Sequence, residues 1–339
     1  MTGRPGTAWA YGILVAAPLP LAVLCLGVGS SAIPWAHLPG LVAEGLRATV
    51  DPAAPLSPAA AVVWDIRLPR VLLALAVGSA LAGAGAGCQA AFRNPLVEPF
   101  ILGISGGAAL GSALAIAFAP WLPVPVAAFA LGLGAALLAY GLARTRGEVP
   151  PLTLVLSGVV VSALATSLLS LVKFTVDPHR LQAIVHWLMG SLSLAGWPAL
   201  ATAVPGIAVG LGVLWALRWR LNVLSLGDEE ARALGVNAGR LRLLVLAASS
   251  LAAASAVSVS GIIGWVGLMV PHLARLLVGP EHRRLVPAAV CLGGAFLLAA
   301  DTVARGLFPF EIPVGVVTTL SGAPFFVVLL KGRKSPWTS

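Results

Sequence analysis

The stretch Val71-Leu-Leu-Ala-Leu-Ala-Val-Gly-Ser-Ala-Leu-Ala-Gly-Ala-Gly-Ala-Gly-Cys-Gln-Ala-Ala-Phe92 runs without a charged residue and stops at Arg93. A helix of about 20 residues crosses the ~30 Å hydrocarbon core of a bilayer. A spanning strand would alternate apolar and polar residues, and this stretch does not. In lipid, backbone N–H and C=O groups are satisfied only within helices or closed barrels, so the stretch reads as a transmembrane helix. Arg67-Leu-Pro-Arg70 precedes it, so cations bracket the apolar run: Arg67 and Arg70 before, Arg93 after.

Working outward, the same pattern recurs. Hydrophobic residues make up 59% of the 339-residue chain and charged residues 10%, far below the ~25% charged of an ordinary soluble domain. Ten spans are predicted: 9–33, 71–92, 100–120, 124–143, 152–172, 199–217, 243–263, 264–278, 285–300 and 312–330. The fold class is therefore an all-α polytopic membrane protein of about ten helices. The whole chain, 1–339, is read as one transmembrane domain, with an outer-face loop over 173–198 and an inner loop over 218–242. The 38 Gly and 26 Pro point to close helix contacts, kinks and broken helices. Cys25, Cys88 and Cys291 fall in apolar runs and read as small buried hydrophobes rather than a metal or disulfide set. The first run has Arg4 ahead of it and small residues after it, like a signal peptide, but its length favours a retained span.

Orientation follows from the basic residues. With the N-terminus cytoplasmic, only Arg47, Arg67, Arg70, Lys173, Arg180 and Arg305 fall outside; the rest of the 21 Lys and Arg fall inside. That asymmetry places both termini in the cytoplasm of a cell inner membrane. Trp9, Trp35, Trp64, Trp121, Trp215, Trp219 and Trp265 lie near span ends, as an interfacial aromatic belt would. Trp187 and Trp197 bracket a stretch, 181–194, too polar and short to cross; it reads as a helix on the outer face. His179 and His186 lie two helical turns apart there, and without a third ligand they read as surface histidines before a haem or metal relay.

Within the spans ionisable residues are nearly absent. Asp301 is the exception, and Glu98 sits at an edge. Ion-coupled transporters place charged relays near mid-membrane, and an intramembrane hydrolase needs a coherent catalytic set; neither is present, so the chain reads as a translocation subunit and not an enzyme. It has no Gly-Lys dipeptide and cannot hold a P-loop. If ATP drives transport, a partner binds it. The inner loop carries Leu224-Ser-Leu-Gly-Asp-Glu-Glu-Ala-Arg-Ala-Leu-Gly-Val236. Asp228 is expected as N-cap, Glu229 and Glu230 in the first turn, Ala231 and Leu234 on one face, and Gly235 as the C-terminal stop. This short amphipathic helix is either an ordinary surface helix or the element through which a cytoplasmic ATPase pushes.

These residues resemble those of a known family, the permeases of binding-protein-dependent ABC importers for iron–siderophores, haem and cobalamin. The resemblance rests on Arg67-Leu-Pro-Arg70, Gln89 through Arg93-Asn-Pro-Leu-Val-Glu-Pro99, Leu102-Gly-Ile-Ser-Gly-Gly-Ala108 and the inner loop. It continues through Gly264-Trp-Val-Gly-Leu-Met-Val-Pro-His272, Ala300-Asp-Thr-Val-Ala-Arg305, Ile312-Pro-Val-Gly315 and Gly322-Ala-Pro-Phe325. Trp265 stands where the family often has Phe, Val97 where Ala is common, and Pro150-Pro151 opens the span that forms an inner gate in the family.

The resemblance implies the type II importer fold and a homodimer around a central path. It further implies two cytoplasmic ATPase subunits that hold ATP-Mg, an external substrate-binding protein, and no cofactor on this chain. It implies coupling through Leu226, Gly227, Asp228, Glu229, Glu230, Ala231, Leu234 and Gly235. Arg67, Arg70 and Arg305 have two readings: interfacial anchors, with Arg305 paired to Asp301, or receivers of acidic residues on the binding protein, which the resemblance favours. Gln89, Ser105, Ser157, Ser162 and Thr166 are candidates to line the path, and Gly83-Ala-Gly-Ala-Gly87 to pack helices closely. An ion-coupled secondary transporter or passive channel for a metal complex is the competing function; a non-transporting scaffold is a third.

Overall fold

The computed structural model describes residues 5–28, 33–51, 53–145, 149–307 and 310–331. Two short helices, α1 (Pro5–Ala16) and α2 (Pro18–Gly27), stand where one long first span is expected. The break falls at Pro18, whose nitrogen cannot donate to the preceding turn. α3 (Leu38–Val50), which buries Leu38 and Gly45, falls between the first two expected spans. A Cβ on Gly45 would lie 2.4 Å from the Trp64 ring, so the missing side chain is the space that Trp64 fills.

The second span is longer than expected. α4 (Pro58–Ala61) runs through a π-helical turn (Val62–Arg67) into α5 (Leu68–Phe92), a continuous helix from Pro58 to Phe92. Ser57 caps its start by accepting the Ala60 N–H at 3.2 Å, and the Ser57 hydroxyl donates to Glu44 of α3 at 3.0 Å. Arg67 and Arg70 therefore sit well inside a helix, not at its outer tip.

After a 3₁₀ turn (Pro99–Leu102) come α6 (Ile104–Phe118), α7 (Val124–Ala143) and α8 (Pro151–Thr175), which opens on Pro150-Pro151. The surface helix expected over 181–194 is α9 (Pro178–Leu188), three residues earlier at its start because Asp177 caps it, accepting from His179 N and Arg180 N. α10 (Trp197–Leu226) overruns its expected end at 217 by more than two turns. Then follow α11 (Asp228–Ala233), α12 (Ala238–Ser260), α13 (Val266–Val278), α14 (His282–Gly306) and α15 (Val314–Lys331). Among the described residues, six helices are long and apolar enough to cross a membrane, and four shorter apolar ones, 11–27, 104–118, 266–278 and 314–329, stand where the remaining spans are expected.

α5 is the centre of the bundle, buried almost continuously from Pro69 to Phe92. Glycine makes this possible. A Cβ on Gly78 would lie 2.2 Å from the Gly293 oxygen of α14, and one on Gly85 would lie 1.9 Å from the Gly267 oxygen of α13. Without side chains at these points the backbones meet directly, the packing that association in lipid rewards. In the Gly83–Gly87 patch, Gly83 faces Leu211 and Val290, and Gly87 faces Ser249 and Leu214, so the patch packs inside the bundle. At the other extreme, only 28% of the apolar window of α8 and 22% of that of α10 is covered, against 78% for the central helix, which leaves α8 and α10 at the periphery.

Candidate functional site

Two polar constellations break the apolar bundle, one at each end. The first gathers around α11. Gly227 is its N-cap at φ 144°, and Asp228 is the first helical residue, not the cap expected from sequence. The reason is electrostatic: the Asp228 carboxylate turns away from the helix start and accepts from Arg242 Nη2 at 2.6 Å, with Arg93 Nη2 4.0 Å away. Arg242 lies in the first turns of α12, is buried, and with its Nε donates to the Ala91 carbonyl at the end of α5 (3.1 Å). One guanidinium thus ties α11, α12 and the central helix together. Arg93 itself takes a left-handed conformation, φ 51°, as the C-cap of α5.

α11 closes as the sequence suggests. Gly235, at φ 74°, donates to Arg232 O (2.9 Å), and Val236 donates to Ala231 O (2.8 Å). This is the paired-bond ending that a left-handed glycine permits. Ala231 is fully buried beneath the helix, while Leu226 and Leu234 are each 61% exposed, and Glu229 and Glu230 face outward. Two large apolar side chains and two carboxylates therefore stand on the surface around a rigidly tethered turn. Sequence reasoning found α11 but missed Arg242 and Arg93. The available signal was an arginine inside the start of an apolar helix, where only a partnered charge is tolerated.

The second constellation lies at the opposite end. Arg70 forks onto Asp301, with Nε 3.1 Å from both carboxylate oxygens and Nη2 2.9 Å from Oδ1, and its Nη1 reaches Glu311 at 2.6 Å. Arg305 Nε stands 3.3 Å from the other Asp301 oxygen, the i, i+4 pair expected from sequence. Arg67 donates to the Leu26 and Gly27 carbonyls at the end of α2 (2.9 and 3.3 Å). Arg67 and Arg70 are 4% and 8% exposed, and Asp301 is fully buried. The three arginines are therefore committed to partners within the chain, which is the anchoring arrangement. They are not displayed on an open face, because the helix that carries Arg67 and Arg70 begins at Pro58. Glu311, half-exposed, is the outermost member and escaped the sequence analysis.

The path candidates divide. Gln89 is enclosed: its Oε1 accepts from Arg275 Nη2 (3.0 Å) and its Nε2 donates to Leu268 O (3.3 Å), so it bridges α5 and α13. Ser105 on α6 and Ser157 on α8 are half-buried; Ser162 faces Gly106 of α6, and Thr166 is exposed on α8. Gln89 is thus not brought together with the α8 residues. His272 packs its ring against Phe325 and Phe326, a structural role. His179 and His186 are exposed, and no group of three metal-ligating side chains occurs among the described residues.

An all-helical bundle whose helices are long and apolar enough to cross a membrane, with a tethered surface turn at one end, is the architecture of a membrane-embedded subunit. The profile of the FecCD transport family matches residues 16–332, and the chain belongs to that family. It is 47% identical over 275 residues to an iron chelatin transport system permease protein of Helicobacter pylori, covering 81% of this chain and 84% of that one. It is 43% identical over 324 residues to the cobalamin import system permease protein BtuC of Halobacterium salinarum, covering 93% and 87%. A solved structure described as an inward-facing conformation of a metal-chelate type ABC transporter superposes with a TM-score of 0.83 at 36% identity, over 96% of this chain and 99% of that one. Fold and family are those of a type II ABC importer permease.

Proposed function

We propose that this chain is the transmembrane subunit of an ATP-driven, binding-protein-dependent importer that moves a metal chelate, a ferric siderophore, haem or cobalamin, by alternating access. Two copies enclose the path, two ATPase subunits dock on the cytoplasmic side where both termini lie, and a substrate-binding protein docks outside. The unpartnered faces of α8 and α10 suit contact with a second copy and with lipid. The names carried by relatives, iron chelatin and cobalamin, favour chelated metals as cargo.

The observation that carries this reading is the tether of α11. A surface helix that merely covers the bundle needs no rigid link to its centre. Asp228 and Arg242 instead join this turn to α12 and to the end of α5, so a displacement of α11 is passed to the central helix, which packs against α10, α12, α13 and α14. Leu226, Leu234, Glu229 and Glu230 offer the ATPase an apolar seat with an acidic rim. On the outer side, Arg70 enters docking by exchange: an acidic residue of the binding protein replaces Glu311 on it, while Asp301 stays in place and Arg67 and Arg305 anchor the site beside it. The double variant L226D/L234D should leave the purified permease folded and lose copurifying ATPase. Retention of the ATPase would reject α11 as its seat.

A further inference from the structure

We propose that the junction of α10 and α14 holds the headgroup of an anionic phospholipid. Trp197 and Trp219 lie on one continuous helix about 33 Å apart at 1.5 Å per residue, the thickness of the hydrocarbon core with its boundaries. Trp215 and Trp219, 56% and 61% exposed, therefore mark the second membrane boundary. Four arginines lie at that level, Arg218 and Arg220 on α10 and Arg283 and Arg284 in the first turn of α14, and two of them, Arg218 and Arg283, are brought onto the Trp215–Trp219 face of α10.

Their arrangement is built rather than scattered. Arg218 lies over the Trp215 ring at 3.9 Å, and Arg283 of α14 lies over the Trp219 ring of α10 at 5.4 Å. Asn222 Oδ1 accepts the His282 N–H at 2.8 Å and fixes the start of α14 against α10. Stacking holds Arg218 and Arg283 by their faces; Arg218 Nη1 also donates to the Trp215 carbonyl, and the other in-plane N–H groups stay at the edge, the geometry that grips a phosphodiester. Among the described residues no salt bridge engages any of the four, and neighbouring Glu281 is paired with none of them. The charge is thus uncompensated by protein at the depth where lipid phosphates lie, and basic pockets between helices there recruit anionic headgroups.

The leaflet concerned is the cytoplasmic one only if the orientation proposed above holds. Binding in detergent does not depend on orientation, so the two readings fail separately. The test is native mass spectrometry of the full-length permease in detergent, titrated with phosphatidylglycerol and with phosphatidylcholine. The wild type should retain phosphatidylglycerol selectively. R283Q/R284Q should lower that retention by about thirtyfold relative to phosphatidylcholine. Unchanged retention in the variant overturns the proposal. So does a variant that keeps its lipid but loses its ATPase partner, which would make the patch a protein-docking surface. Should the glutamine variant not fold, the wild type still decides: phosphatidylglycerol retention must fall as salt rises, and salt-independent retention overturns the proposal.

Discussion

Arg242 holds Asp228 at 2.6 Å with one nitrogen and the Ala91 carbonyl at 3.1 Å with another. The guanidinium fork is what lets one side chain serve both the surface helix α11 and the end of the central helix α5. Loss of Asp228 or of Arg242 leaves a charge without its mate, an effect on the order of 2 kcal/mol for a pair buried at Arg242 and partly exposed at Asp228. R242K is expected to fail nearly as badly as R242M, because a lysine offers one point charge where two directed donors are used. Thermal unfolding of the purified variants checks the stability loss, and stimulation of the partner ATPase by the permease checks the coupling. Full coupling in R242M would contradict the tether.

The outer constellation separates anchoring from docking. Asp301→Asn leaves Arg70 and Arg305 enclosed without their shared carboxylate, which should cost about 3–5 kcal/mol and reduce folded yield. Glu311→Gln removes only a half-exposed partner and should change stability by less than about 1 kcal/mol. Arg67→Glu places an anion against two carbonyl oxygens and should impair assembly itself. A well-folded R67E permease that has lost only its response to the binding protein would restore the direct docking role.

Close helix contacts give a paired test. Gly78→Val pushes a branched side chain into the Gly293 backbone oxygen, 2.2 Å from the first added carbon, so the helices must part; a loss of at least 1–3 kcal/mol, of the order seen for overpacked cores, is expected. Gly134→Ala meets nothing within 4 Å and should be close to neutral. Size-exclusion profiles and melting temperatures of the two variants, side by side, check the contrast.

Glu98, in the connection after α5, has its carboxyl pushed up from 4.5 to about 7 by burial. The folded protein therefore holds this proton more tightly than the unfolded chain, and stability declines as pH rises between those two values. E98Q removes the penalty. It should match the wild type near pH 4.5 and unfold at a higher temperature than the wild type above pH 7. Equal melting temperatures at pH 8 would show that the carboxyl is solvated.

Much of the fold was legible because length and composition act locally. A run such as Val71–Phe92 has one stable form in lipid, and each of the ten expected spans has an apolar helix at its place. What stayed hidden depends on partners distant in sequence. Helix α3 needs Trp64 to fill the space at Gly45, and the early start of the second span needs Ser57 and Glu44. The same holds for the polar sites. The turn at Asp228–Gly235 has a local signature of acids, small residues and a final glycine, so it could be read directly. The direction of the Asp228 carboxylate could not, because Arg242 decides it. Arg67 and Arg70 look like surface cations when the apolar run alone is read as the helix; its start at Pro58 places them inside it.

The most direct measurement of the central claim, that force enters this bundle through α11 from a nucleotide-hydrolysing partner, is uptake of a ferric chelate into vesicles holding the permease, its ATPase and the binding protein. Uptake should require ATP and the ATPase subunit, and R242M should uncouple hydrolysis from uptake. Uptake at the full rate by the permease alone, with no ATPase present, would contradict the account.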